Sequence, residues 1–255
     1  MQAAPSPFAY ALAAVAGLFA GSFLNVVIYR LPRSEGVFFG RSRCPACGRE
    51  LSWPDLFPVI SYLLLKGRCR RCGAPIAPRY LFVELLTACV FAWFYAVFGL
   101  SPLLGKYLFL ASLLIAASFI DLEHYLIPDR LVAAGFLGGL ALGLLPGDAG
   151  LGAGLEGAAA AGGVLLLVAI LSRGGMGGGD VKLAGVIGLF LGWPLALLAI
   201  FWAFCLGGLA GAVLLLTKRK RRKDPLPFGP FLSAGAVLAL VWGKNFLFWY
   251  GSLTF

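Results

Sequence analysis

The chain has 255 residues, of which 60% are hydrophobic and only 13% are charged, and its formal net charge is +10. Soluble domains are about half apolar and a quarter charged, so this composition excludes a water-soluble protein and indicates an integral membrane protein. Lysine and arginine accumulate in the cytoplasmic loops of membrane proteins, so the positive charge reflects topology. We therefore expect contact with membrane lipid and no nucleic-acid partner.

The first apolar run, near residues 7–29, is long enough to cross a membrane. It lacks a basic start and a distinct cleavage site, so we expect a retained helix and not a signal peptide. A polar stretch follows at residues 30–79, with ten basic and three acidic residues and a net charge of +7. The positive-inside rule predicts that this stretch lies in the cytoplasm and the N-terminus outside.

Four of the six cysteines form two CxxC pairs in this loop, in CPACG at 44–48 and CRRCG at 69–73. Two such pairs favour a zinc ion held by four thiolates, because cytosolic thiols stay reduced and seldom form disulfides. The predicted ligands are Cys44, Cys47, Cys69 and Cys72. Protein then fills all four positions, so the zinc ion is predicted to be structural. Gly48 and Gly73 follow the pairs, where a left-handed residue helps to close each knuckle.

Further apolar segments predict helices near residues 81–98, 103–120, 131–146, 157–171, 181–192, 195–217 and 229–250. If all eight segments cross, only Lys106 and Lys244 of the 21 lysine and arginine residues fall outside. A re-entrant hairpin at 181–192 would instead put the basic run 218–223 outside, against the positive-inside rule. The predicted fold class is therefore an all-α polytopic membrane protein of about eight transmembrane helices, with both termini outside.

The stretch SRGGMGGGDVKL, residues 172–183, places five glycines before a single acidic residue, Asp180. The helix that follows is short, about 18 Å at ~1.5 Å per residue, so Asp180 is expected at membrane depth. Irregular backbone at that depth is tolerated only where it lines a buried or wet cavity, and a carboxylate there is costly. We interpret Asp180 as functional, because helix packing by glycine does not explain why the run ends in an acid.

A second acidic stretch, SFIDLEHYLIPDRL, begins at residue 118. Asp121 continues an apolar helix and is favoured to face inward, but Asp129 at a helix start stays a candidate. Glu123 is expected to face headgroups or solvent. Two nearby carboxylates share a proton and can activate water for peptide hydrolysis. His124 is the only histidine and lies in an interfacial loop, so no His-based nucleophile system is evident.

Two cysteines, Cys89 and Cys205, lie outside the loop, within apolar segments. Free cysteine often behaves as a small hydrophobic residue in protein interiors. We therefore expect both side chains to be buried and to carry no chemistry.

These features together resemble the type 4 prepilin peptidase family, the bifunctional leader peptidases and N-methyltransferases of pilus assembly and type II secretion. GSFLNVVIYRLP, residues 21–32, is similar to the family's first-helix signature. PVISYLLLKGRCRRCGAPIAPRYLFVELL, residues 58–86, is similar to its zinc loop and second helix. IDLEHYLIPD at 120–129 and GGGD at 177–180 resemble its two aspartate motifs.

The resemblance implies an aspartic endopeptidase whose catalytic residues are Asp121 and Asp180. Members without the cysteine loop are usually peptidases only, so the loop here also implies N-methyl transfer from S-adenosylmethionine. The implied division is a first helix at 1–30, a methyltransferase-associated cysteine loop at 31–80 and a peptidase domain at 81–255. Hydrolysis and methyl transfer need different chemical groups, so two separate sites on one side are expected.

The implied substrate is a type IV prepilin or a type II secretion pseudopilin with a basic leader. Cleavage, typically between Gly and Phe, is expected at the cytoplasmic edge of the bacterial inner membrane, followed by methylation on that side. No fingerprint locates the methyl-donor pocket, although basic loop residues offer one surface and equally well contact lipid headgroups. These residues are Arg30, Arg68, Arg70, Arg71 and Arg79.

A transporter is the competing hypothesis, because glycine-broken helices and intramembrane acids also occur in transporters. That hypothesis predicts paired breaks in two halves of the chain, whereas a single glycine-rich break is evident. It also gives the cysteine loop no use. A structural assembly subunit would need neither carboxylate.

Overall fold

The computed structural model describes residues 6–37, 40–145, 150–172, 174–221 and 224–254. Within these ranges the chain forms nine α-helices, and the only β-structure is two isolated bridges in the cysteine loop. The predicted all-α fold is confirmed. In chain order the helices are α1 (Pro7–Arg30), α2 (Ile60–Leu64), α3 (Arg79–Phe98), α4 (Pro102–His124), α5 (Asp129–Leu142), α6 (Leu151–Leu171), α7 (Gly178–Leu191), α8 (Leu195–Leu216) and α9 (Gly229–Thr254).

All helices except the five-residue α2 coincide with the predicted apolar segments. Among the described residues, six are long and apolar enough to cross a membrane: α1, α3, α4, α6, α8 and α9. The 14 residues of α5 and of α7 give each about 21 Å, which is shorter than a hydrocarbon core of roughly 30 Å. A multi-pass membrane protein is thus confirmed, whereas eight crossings and outer termini stay predictions.

Some predicted boundaries fall on residues that the structure does not describe. The predicted end of the fourth apolar segment, at residue 146, lies outside the described residues. The last two residues of the basic run 218–223, Arg222 and Lys223, lie outside them as well.

The expectation that Cys89 and Cys205 are buried is wrong. Both side chains are exposed on the outer surfaces of their helices, α3 and α8. In a membrane, such surfaces contact lipid, which is as apolar as a protein core. Hydrophobicity alone therefore does not tell a lipid-facing cysteine from one that is packed between helices.

The chain divides into two compact units, Met1–Leu104 and Gly105–Phe255. In the first unit, α1 packs against α3 through two glycines spaced four residues apart. A Cβ atom on Gly17 would lie 2.6 Å from Ala88 Cα, and one on Gly21 would lie 2.7 Å from Glu84 Cα. Small residues at this spacing let membrane helices approach closely, which increases van der Waals contact. The adjoining ends of α1 and α3 are the two points between which the cysteine loop runs.

In the second unit, α7 is the central helix and contacts α5, α6, α8 and α9. Every residue from Leu183 to Leu191 is buried, as expected for a helix that is apolar on all sides. Gly157 of α6 packs directly on the backbone of α7. A Cβ atom there would meet the carbonyl group of Gly188 and would lie 2.7 Å from the carbonyl carbon of Gly192. This close packing holds α7, and with it Asp180 in its first turn, in a defined position.

We expect Gly157→Ala to destabilise the protein, because the added methyl group meets backbone atoms that cannot move aside cheaply. Overpacking of this kind costs about 1–3 kcal/mol. Gly163→Ala is the matched control, since a Cβ atom at that position in the same helix meets nothing within 4 Å. Thermal unfolding in detergent measures the difference, and equal melting temperatures for the two variants would contradict the packing described here.

Candidate functional site

Asp121 lies in the last turn of α4 and is only 5% exposed. Its Oδ2 atom accepts a hydrogen bond of 2.8 Å from the backbone N–H group of Gly229. Gly229 is the first residue of α9, so this N–H group belongs to the helix end that has free donors and a positive dipole. The protein thus provides a stabilising donor for a negative charge on Asp121.

Asp180 lies in the first turn of α7, and the backbone before it is the glycine-rich stretch. Its neighbour Gly179 packs against Ile127 in the turn after Asp121, so the fold brings the two segments that bear the predicted aspartates together. The Oδ1 atom of Asp180 is buried and has no hydrogen-bond partner in the part of the chain that the structure describes. Leaving a buried acceptor unpaired is costly, so we infer that water or substrate supplies its partner.

Asp129, the other candidate for the second carboxylate, has a different environment. Its side chain is 77% exposed, and its Oδ1 atom lies 2.5 Å from Lys182 Nζ in an ion pair that joins α5 to α7. Exposed ion pairs of this kind contribute at most about 1 kcal/mol. Glu123 is also partly exposed, with 39% of its side chain accessible. Burial therefore distinguishes Asp121 from the other two acids.

The glycine run has two local functions. Gly174 has a φ of +96°, a conformation that favours glycine, and so it permits the turn after α6. Gly179 permits a close approach, because a Cβ atom there would lie 3.0 Å from Ile127 Cβ. Ile127 lies in the turn that follows Asp121. The expected close approach of another chain segment is therefore observed, and it brings the two aspartate-bearing segments together.

The sulfur atoms of the four predicted zinc ligands lie within 4.8 Å of one another. The Sγ atoms of Cys44 and Cys72 are 3.9 Å apart. Four sulfurs at roughly 2.3 Å from a tetrahedral zinc ion would be about 3.8 Å apart, whereas a disulfide needs about 2.0 Å. None of the described cysteines forms a disulfide. The donor set and its spacing therefore fit a thiolate-bound metal ion.

The two CxxC pairs have nearly the same backbone conformation. Gly48 N–H donates to Cys44 O at 2.8 Å, and Gly73 N–H donates to Cys69 O at 2.9 Å. The two glycines have φ values of +70° and +71°, which confirms the predicted left-handed residue after each pair. Each knuckle thus presents its two sulfur atoms to the common centre in the same way.

The environment of the cluster favours ionised sulfur at Cys69 but not at Cys72. Backbone N–H groups of Cys72 and Arg71 point at the Cys69 sulfur and lower the pKa of its thiol to about 7. The N–H group of Ala74 lowers the pKa of Cys72, but burial and the neighbouring thiols outweigh it and raise that pKa to about 11. Further thiolates at this centre therefore need a cation to stabilise them.

Two of the five basic residues considered for the methyl donor stabilise the loop itself. Arg70 Nε donates a 2.7 Å hydrogen bond to Asp55 Oδ1. Burial raises the pKa of Asp55, but hydrogen bonds from Ser52 and Arg70 outweigh it and hold that pKa below its ordinary value. The Arg30 guanidinium donates to three loop carbonyl groups, those of Gly36, Gly40 and Arg41.

Among the polar groups that the fold buries, sequence reasoning missed the Gly229 N–H group, Asn25 and Glu84. Gly229 donates to Asp121, and its only sequence signal is the Gly-Pro pair at a helix start, a position where proline is common. Asn25 and Glu84 are buried in the first unit, with 3% and 8% of their surfaces exposed. Their signal was visible, because a polar residue inside an apolar segment is by default a functional hypothesis.

Two protein-family profiles match the chain. The profile of the bacterial peptidase A24 N-terminal domain matches residues 15–98, and that of the type IV leader peptidase family matches residues 108–212. The prepilin leader peptidase/N-methyltransferase of Bacillus subtilis (strain 168) is 40% identical over 92% of this chain and 94% of its own length. The proteins of the same name from Aeromonas hydrophila and Pseudomonas aeruginosa are 36% and 34% identical, over 94% and 95% of this chain and 93% of each relative. No solved structure matches the chain.

We expect Gly229→Ala to reduce turnover at the aspartate pair by about 100-fold, the order of loss that a misplacement of about 1 Å causes. A Cβ atom at this position would lie 2.9 Å from Asp121 Oδ2 and 3.2 Å from Asp121 Cβ, so the carboxylate must move. Gly208→Ala is the control, because a Cβ atom there meets nothing within 4 Å. Cleavage of a prepilin substrate by the purified variants measures the effect, and full activity of Gly229→Ala would refute the positioning role.

Proposed function

The chain belongs to the type IV leader peptidase family, and we propose that Asp121 and Asp180 are the residues with which it cleaves prepilin leader peptides. Its similar relatives are named for two activities, leader peptidase and N-methyltransferase, and the chain is accordingly a peptidase and a methyltransferase. One observation carries the site assignment. A buried Asp121 accepts a hydrogen bond at a helix N-terminus, and the turn that follows it packs against Gly179, the neighbour of Asp180, whose Oδ1 atom has no partner among the described residues.

The geometry supports an asymmetric pair. The Gly229 N–H group stabilises negative charge on Asp121, so we assign the shared proton to Asp180. The Asp121 carboxylate takes a proton from a water molecule, and the water oxygen attacks the scissile carbonyl carbon. Asp180 donates its hydrogen bond to the carbonyl oxygen as charge develops there. The proton held by Asp121 then passes to the leaving amine, and no covalent intermediate forms with the enzyme.

We propose that this site faces the cytoplasm at the bacterial inner membrane, with surrounding lipid as the other partner. The end of α4 that bears Asp121 lies on the side of the basic run, since Lys220 Nζ is 5.6 Å from the ring centre of Tyr125. Basic segments stay on the cytoplasmic side. The substrate is then a type IV prepilin or a pseudopilin, whose basic leader lies in the cytoplasm and whose apolar helix lies in the membrane.

We assign methyl transfer to the first unit, which carries the cysteine loop at residues 31–80, and we assign proteolysis to the later helices. S-adenosylmethionine, when bound, supplies a methyl group on a positively charged sulfur. The cysteine cluster holds a structural zinc ion that orders a loop too small and polar to form its own core. A transporter, the competing hypothesis, is not supported by the family matches.

The aspartate pair is tested by Asp121→Asn and Asp180→Asn. Each should lower prepilin cleavage by at least about 1,000-fold, because loss of one member of a concerted catalytic unit removes most of its contribution. Asp129→Asn, at an exposed acid outside the pair, should cleave normally. Mass spectrometry of the released leader measures the rate. Full cleavage by either asparagine variant of the pair would refute the assignment.

The metal is tested by elemental analysis of purified protein, in which we expect about one zinc ion per chain. A Cys44→Ser/Cys72→Ser double variant should lose the zinc ion, because these sulfurs are 3.9 Å apart in the cluster. A Cys89→Ser/Cys205→Ser double variant removes the same number of thiols elsewhere and should keep it. Unchanged zinc content in the first variant would show that the ligand set is wrong. Methylation should be lost in that variant before all proteolysis is.

A further inference from the structure

A second set of buried polar groups, Asn25 of α1 and Glu84 of α3, lies where these two helices pack together. Glu84 lies five residues after the start of α3, and Asn25 lies five residues before the end of α1. Both residues are therefore about 7.5 Å along their helices from the cysteine loop, at ~1.5 Å per residue. Their shared depth corresponds to the edge of the membrane on the side of that loop. Buried polar groups at this depth are costly and suggest a function.

Asn25 has a buried acceptor without a partner. Its Nδ2 atom donates a 3.0 Å hydrogen bond to the backbone carbonyl of Tyr80, which fixes the orientation of the amide. Its Oδ1 atom is buried and accepts no hydrogen bond from any residue that the structure describes. The fold thus buries an oxygen that needs a donor, and no described residue of the chain supplies one.

Glu84 accepts a hydrogen bond from the cysteine loop. The backbone N–H group of Val59 donates to its Oε2 atom at 2.8 Å. This neutral donor leaves the carboxylate without a counter-charge. No lysine or arginine within the described ranges forms an ion pair with Glu84. A buried carboxylate is usually paired, so the cluster is incomplete without a cation.

The backbone at Val59 is strained where its N–H group contacts Glu84. Val59 has φ +62° and ψ −52°, and Ile60 N–H donates to Pro58 O at 2.6 Å. These values describe a γ-turn with a positive central φ, which is rare and strained, above all for a β-branched residue. Strained backbone of this kind clusters at ligand sites and active sites. Here it aims one N–H group of the cysteine loop at Glu84.

We propose that Glu84 and Asn25 form the site that binds the α-amine of the cleaved pilin, and that Glu84 is the base for its N-methylation. The cluster offers a carboxylate and a free amide oxygen, which together suit a group that is cationic and carries several N–H donors. The new N-terminus produced by leader cleavage is such a group. This inference rests on the proposed function of the chain.

The reaction balances with these residues. The Glu84 carboxylate takes one proton from the α-ammonium group, which leaves a neutral amine with a lone pair. A nitrogen–carbon bond then forms to the methyl group of the sulfonium donor as the carbon–sulfur bond breaks, and the electron pair stays on sulfur. The products are a methylated ammonium, a neutral thioether and a protonated Glu84, which returns its proton to water. The Asn25 Oδ1 atom accepts a hydrogen bond from the amine and so orients the lone pair of the amine nitrogen.

Binding without any methyl donor tests the site directly. The two probes are a pilin peptide that begins with Phe and its desamino analogue, in which hydrogen replaces the amine. We expect the wild-type protein to bind the Phe peptide at least about 10-fold more tightly than its desamino analogue. The reason is that a charged hydrogen bond to a buried partner contributes at least this much binding energy. Glu84→Gln should abolish this preference, and Asn25→Ala should reduce it. Glu35→Gln, at an exposed acid of the same unit, should retain it.

Methyl-transfer kinetics test the role as base. Glu84→Gln should lower kcat for methylation of the Phe peptide by about 100-fold or more, with unchanged zinc content and thermal stability. Asp180→Ala should still methylate this pre-cleaved peptide. If wild type methylates and Glu84→Gln does so equally, the assignment of Glu84 fails while the proposed function stands. If wild-type protein cleaves prepilin but never methylates, the proposed methyltransferase function itself fails.

Two further outcomes would overturn the amine site. One is a Glu84→Gln variant that keeps the full preference for the free amine. The other is a Glu84→Gln variant that loses affinity for S-adenosylmethionine but not for its neutral thioether product. That result would show that the carboxylate binds the sulfonium and not the amine. If the Glu84→Gln variant loses its zinc ion and its fold, the Asn25→Ala variant tests the amine site independently.

Discussion

The hydrogen bond from Gly229 N–H to Asp121 is the interaction on which the candidate peptidase site depends. A carboxylate that lies inside a membrane cannot rely on water to stabilise its charge, so the protein must supply donors. Here the donor is the first residue of α9, whose N-terminal dipole adds to the effect of the single hydrogen bond. The requirement explains why a helix from the far end of the chain reaches the end of α4, and why a glycine starts it.

The same site needs its second carboxylate at the correct distance, and glycine packing provides it. Lipid exerts no hydrophobic force between helices, so close van der Waals contact must hold α7 in place. Gly157 lets α6 lie directly on the α7 backbone, and Gly179 lets the start of α7 approach the turn after α4. α7 has only 14 residues, and Asp180 lies in its first turn, next to the glycine that makes this approach.

The two units use buried polar groups in different ways, and the difference matches two kinds of chemistry. In the second unit, a pair of carboxylates with one stabilised charge can activate water and donate a proton. In the first unit, the proposed acceptors for a cationic amine are a carboxylate and an amide oxygen that has no partner among the described residues. The cysteine cluster contributes no side chain to either set. It lies in the same loop as Val59, whose strained turn directs a donor to Glu84.

The sequence by itself determined the membrane class, the helical segments, the set of four cysteines that cluster, and the place of Asp180 after a glycine run. These follow from local patterns: apolar runs of membrane length, paired CxxC turns, and an acid after a glycine run. The residue pattern favoured Asp121 over Asp129 and the family resemblance selected it, but only the tertiary structure showed the physical difference between two acids that both lie near a helix end. Burial and Gly229 favour the first, whereas the second pairs with Lys182 at the surface. Which face of an apolar helix meets lipid, as at Cys89, was likewise decided by packing, since hydrophobicity alone does not distinguish lipid from protein.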